Sequence, residues 1–176
     1  MTALEPASAV FLASAAVLGV AGVAKVLKPG DTSRALRMAG LPGHPWTVRS
    51  GGAVELAVSI SAFALPGTLT GALVAFSYAG FAAFVATAIG RGWPLSSCGC
   101  FGRPDARPGP AHLVLNLAAT AGACWWAIEP PASGWRIVDH QPGHGIALLV
   151  VSLVLAQLAY LVWTRPALSF VVGTRT

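Results

Sequence analysis

The chain has 176 residues, 55% hydrophobic and only 10% charged, with a formal net charge of +5. Soluble domains carry about 25% charged residues, so this composition excludes an ordinary soluble enzyme and points to a bilayer. The basic excess does not call for nucleic acid, because in a membrane protein Lys and Arg first report orientation.

A helix needs roughly 20 predominantly apolar residues to cross the hydrocarbon core. Five segments meet that need: 7–27, 48–66, 69–90, 111–128 and 145–163. The first has no Lys or Arg ahead of it, only Glu5, and runs on to Leu27, so it reads as a retained helix rather than a cleaved leader. The second is the most polar, with Glu55, Ser59 and Ser61, and the fourth is short and carries Asn116 and Thr120. Lys28-Pro29-Gly30, Leu65-Pro66-Gly67, Pro94, the 103–110 run, Pro130-Pro131 and Pro166 separate the segments, since proline lacks the amide donor that a continuing helix uses. Trp46, Trp93, Trp125, Trp126, Trp135 and Trp163 fall at or near segment ends, where an interfacial aromatic belt is expected. No independent core remains in the polar stretches, which run to about 20 residues.

Orientation follows from the basic residues. An outside N-terminus puts Lys25, Lys28, Arg34, Arg37, Arg49, Arg91, Arg103, Arg107, Arg165 and Arg175 in the cytoplasm and leaves only Arg136 outside. The expected protein is a multi-pass component of the cell membrane. Its C-terminus and the loop after the third segment face the cytoplasm, and a 129–144 loop with His140 and His144 faces out.

The cytoplasmic loop holds Ser97-Cys98-Gly99-Cys100-Phe101-Gly102. Two thiols one residue apart suit a reversible disulfide: bridged α-carbons stand roughly 4.4–6.8 Å apart, which residues i and i+2 reach only in a sharp turn, and Gly99 allows one. Such a bridge is strained, hence labile. Arg91, Arg103 and Arg107 flank the pair, and nearby cations favour thiolate. The alternatives stay open. A lesser alternative makes the cysteines small apolar fillers at a helix end, and copper(I) accepts two thiolates. Zinc takes four ligands, and His112 would leave its set incomplete. Cys124, well inside the fourth segment, is expected to be a buried packing residue.

Lys25 and Glu55 fall inside apolar segments. Intramembrane charges are costly, face the bundle interior and tend to pair. Ala15, Gly19 and Gly22 form a small-residue seam that Lys25 continues, and such seams mark helix contacts. A Lys25–Glu55 pair between the first two segments is therefore expected, with the Asn116, Thr120 and Ala123 face of the fourth turned toward it. The simpler expectation for Lys25 is snorkelling to the interface.

Cys98-Gly99-Cys100-Phe101-Gly102, together with Gly22-Val23-Ala24-Lys25 and Glu55-Leu56, resembles the methylamine utilisation protein MauE family, which sits among the DoxX-like four-helix membrane proteins. The resemblance covers roughly residues 7–128. Asn116 matches an asparagine of the family's fourth helix, although Leu115 stands where a basic residue precedes it there. The resemblance implies an all-α polytopic bundle with a DoxX-like four-helix core, plus a fifth helix at 145–163 outside it. It also implies thiol–disulfide exchange through Cys98 and Cys100 with a thioredoxin-like partner, in maturation of an exported enzyme such as methylamine dehydrogenase. Gly99, Phe101, Gly102, Lys25, Glu55 and Asn116 would support that site. No cofactor motif is evident; a quinone is compatible with a bundle interior, though no residue in the sequence argues for one. A non-enzymatic scaffold for a redox partner and a small-molecule or metal transporter are the rival readings.

Overall fold

A computed structural model describes residues 6–65, 67–93, 108–129, 150–158 and 161. Five helices account for most of them: α1 Pro6–Leu27, α2 Gly30–Met38, α3 Pro45–Ala64, α4 Thr68–Gly90 and α5 Pro110–Ile128. A further helical run covers 150–158. The protein is all-α and membrane-embedded. Among the described residues three helices are long and apolar enough to cross a bilayer, Ser8–Leu27, Thr68–Gly90 and Pro110–Ile128. α3 matches them in length, but it carries Arg49 and Glu55.

α1 is the centre of the bundle. It packs most extensively on α3 and also on α5, while α4 packs on α5. The α1–α3 contact is antiparallel and close because both helices carry small residues where they cross. A β-carbon on Gly22 would stand 2.6 Å from the Gly52 carbonyl oxygen, and one on Gly52 would stand 2.8 Å from that of Gly22. Ser59, one of the polar residues of α3, donates to the Ala15 carbonyl at 2.7 Å. The seam of small residues in α1 is thus the surface on which α3 lies, as helix packing without a hydrophobic driving force requires.

The other side of α1 is held by aromatic packing. Phe11 and Trp126 stack with centroids 4.3 Å apart, and both are buried. Tyr78 on α4 crosses the core to donate to the Ser14 carbonyl at 2.8 Å. Trp126 is therefore a core residue, not part of an aromatic belt, because the Phe11 ring and the small residue Ala123, one turn back on α5, leave an inward slot for it. Trp46 and Trp125 are exposed at helix ends.

Cys124 also departs from expectation. It is exposed on α5 among the described residues. The inward positions of α5 are 112, 116, 119, 123 and 126, a 3–4 spacing that turns residue 124 outward.

α2 is an element the apolar-segment reading leaves as loop. Its inner face buries Ser33 and Ala35, and its outer face carries Arg34, which meets Asp31 at 3.4 Å. It ends at Gly40 (φ 73°), with the Leu41 amide donating to the Leu36 carbonyl and the Gly40 amide to that of Arg37, the Schellman arrangement that glycine permits. α4 ends the same way at Gly92 (φ 60°), with Trp93 donating to Ala88 and Gly92 to Ile89. Trp93 is thereby fixed over Phe84 at 5.9 Å, beside the Ala35–Ala88 contact that seats α2 on α4.

Candidate functional site

The C-terminal end of α1, α2, the N-terminal half of α3 and the C-terminal half of α4 enclose a buried ion pair. Lys25 Nζ donates to both Glu55 oxygens, at 2.5 and 2.7 Å. The side chains are 8% and 13% exposed, so this is an interior pair rather than a snorkelling lysine. Two features turn Lys25 inward. It continues the Gly22 face, so its stem leaves α1 against Gly52, where a larger residue would block it. Its ammonium then sits 4.6 Å from the centre of the Phe81 ring, whose negative face attracts a cation. The distance of Glu55 from the start of α3, about 15 Å at 1.5 Å per residue, is spanned because α3 begins at Pro45 and projects past the end of α1.

The pair forms part of the wall of a cavity of about 250 Å³. α2 contributes Ala35 and Leu36 to it, α3 contributes Val48 and Gly51, and α4 contributes Phe81 and Phe84. Every other wall group is apolar or a threonine. The space exists because α3 and α4, although consecutive in the chain, pack only weakly on each other.

Asn116 does not join the pair. It is buried on α5, and its Nδ2 donates to the His112 carbonyl of its own helix at 2.8 Å. Thr120 in turn donates to the Asn116 carbonyl at 2.8 Å. Their shared face with Ala123 enters the bundle core, Ala123 being in the Phe11–Trp126 cluster. His112 is buried in the first turn of α5. Among the described residues no group of three or more His, Cys, Asp or Glu side chains is arranged to hold a metal.

Cys98, Gly99, Cys100, Phe101 and Gly102 lie outside the described residues. Their flanks are described. The segment leaves α4 after Trp93 and enters α5 at Pro110. Chain length alone keeps Cys98, five residues on, within about 18 Å of Trp93, and Trp93 packs on Phe84 of the cavity wall.

The parts of this site that apolar periodicity does not reveal are α2 and the rings of Phe81 and Phe84 in the cavity wall. The signal for α2 was present: Asp31 and Arg34 stand three apart on one face while Ser33 and Ala35 turn inward, a short amphipathic helix between two spans.

Neither the curated proteins nor the solved structures include a match to this chain. A family model described as methylamine utilisation protein MauE matches residues 3–129. That span takes in α1 to α5, the buried ion pair and the Cys-Gly-Cys string. The chain belongs to the MauE family.

Proposed function

We propose that this protein is a membrane thiol–disulfide redox component in which Cys98 and Cys100 cycle between dithiol and disulfide. One observation carries the reading: a Cys-Gly-Cys string within the MauE span starts five residues beyond Trp93, which packs on the wall of a cavity bordered by a buried ion pair. Thiolate from one cysteine attacks a disulfide sulfur of a thioredoxin-like partner and forms a mixed disulfide. The second thiolate then attacks its neighbour's sulfur, forms the Cys98–Cys100 bond and releases the partner as a dithiol. Two electrons pass to the partner, and the reverse sequence returns them. Charge balance requires the two thiol protons to leave, and an interior Lys–Glu pair is suited to influence that step.

The family description supports a role in methylamine utilisation, and we place that role in maturation of an exported disulfide-containing enzyme such as methylamine dehydrogenase. The basic-residue bias supports a cytoplasmic dithiol, which fits exchange with a cytoplasmic thioredoxin-like donor better than direct contact with an exported client. The experiment is exchange between the purified, reduced full chain and an oxidised thioredoxin, with mixed disulfides trapped by acid quenching. Cys98→Ser or Cys100→Ser should each abolish turnover, and one of the two should accumulate the trapped complex. Turnover and complementation that persist in the double serine variant would instead identify a scaffold that needs no thiol chemistry.

A further inference from the structure

We infer that the cavity between α2, α3 and α4 is a binding site for the headgroup of a lipid-soluble quinone. Its polarity is the first reason. Val48, Leu36, Val85, Phe81 and Phe84 give it apolar walls, and the fixed charge in its lining is concentrated at Lys25 and Glu55. Small-molecule sites commonly combine such walls with a few polar groups that set orientation. The second reason is the donor inventory of the ammonium. Lys25 carries three N–H groups, and the Glu55 carboxylate accepts two of them. The third is available to an uncharged carbonyl oxygen entering over the Phe81 ring. An anion in the same place would meet the Glu55 carboxylate, and a second cation would meet Lys25. A neutral planar acceptor of hydrogen bonds suits both the pair and the rings.

Size and access complete the argument. About 250 Å³ is below the roughly 300–1,000 Å³ of sites that enclose a whole drug-sized ligand, so it takes a single substituted ring and leaves an isoprenoid tail in the lipid. The weak packing of α3 on α4 gives such a molecule a lateral way in from the bilayer. Reduction of the ring takes up two electrons and two protons and yields the hydroquinone. The reductant is a protein dithiol, which becomes a disulfide and releases the same two electrons and two protons. This electron source rests on the thiol reading above, whereas binding does not.

The test is a titration of the full chain in phosphatidylcholine nanodiscs with decylubiquinone, followed by quenching of tryptophan fluorescence. An azido-substituted short-chain ubiquinone locates the site by crosslinking. Gly51 lines the cavity, and a β-carbon there meets nothing within 4 Å, so Gly51→Leu fills the cavity without forcing α3 aside. Gly80 is equally open and lies elsewhere on α4. The expected result is saturable binding, crosslinks on α3 or α4 beside the cavity, at least tenfold weaker binding in Gly51→Leu, a smaller loss in Gly51→Ala and none in Gly80→Leu. Binding should survive in the Cys98→Ser, Cys100→Ser protein. Quenching that never saturates, or that Gly51→Leu leaves unchanged, would overturn the site. Saturable binding to a wild-type protein whose thiols are never oxidised by the quinone would uphold the site and remove the dithiol as its electron source.

Discussion

Removing Glu55 alone should destabilise the bundle more than removing Glu55 and Lys25 together. With side-chain exposures of 8% and 13%, either group left alone is an uncompensated charge in the interior. Loss of one partner of a buried pair costs about 3–5 kcal/mol. The cavity beside the pair lets a stranded lysine reorient toward more polar surroundings, which favours the lower end, about 3 kcal/mol, or roughly a hundredfold in the folded-to-unfolded ratio. Replacing both groups by apolar residues of similar volume is often neutral or stabilising. The Lys25→Met, Glu55→Leu double variant should therefore unfold within about 1 kcal/mol of wild type. The assay is equilibrium unfolding in detergent micelles, followed by fluorescence of the Trp126–Phe11 stack region. Additive single losses in the double variant would refute the pairing. Full stability combined with lost thiol exchange in the double variant would separate a chemical role of the pair from its structural one.

The α1–α3 crossing makes a second prediction. Gly22→Val must push against the Gly52 carbonyl and the Leu56 amide, backbone groups 2.6 and 2.8 Å from its β-carbon, and should cost about 1–3 kcal/mol or more, read by the same unfolding assay. Ser59→Ala removes one interhelical hydrogen bond to Ala15 and should cost about 0.6–1.7 kcal/mol, the range for such bonds within membranes. Trp126→Ala empties the slot beside Phe11 and should cost about 3–5 kcal/mol, with Trp126→Phe recovering most of it.

Much of this architecture is legible in the sequence because the bilayer imposes a simple length rule. Four of the expected helices begin within three residues of their expected starts and end within two, since Pro45 and Pro110 open helices and Gly92 closes one, although among the described residues α3 is not apolar enough to count as a span. The Lys25–Glu55 contact was legible for the same reason: a charge inside lipid must find a partner, and the Gly19–Gly22 seam says which face of α1 it shares. What periodicity does not carry is fine rotation. Cys124 and Trp126 are two residues apart near the C-terminal end of α5, yet one is exposed and the other is sealed against Phe11. Hydropathy treats both alike, and only the position of α1 separates them. α2 escaped because a nine-residue amphipathic helix falls below the length rule altogether. Asn116 looked like a partner for the pair because it is polar within a span; its own helix carbonyl satisfies it instead.

Cys124, exposed on α5, must be changed to serine before the two loop thiols can be read. With that change, labelling by a membrane-impermeant maleimide in intact cells and in inside-out vesicles, before and after mild reduction, tests the redox reading most directly. The account predicts labelling of Cys98 and Cys100 only in inside-out vesicles, and only after reduction. Complete labelling without reduction that oxidants leave unchanged would contradict it.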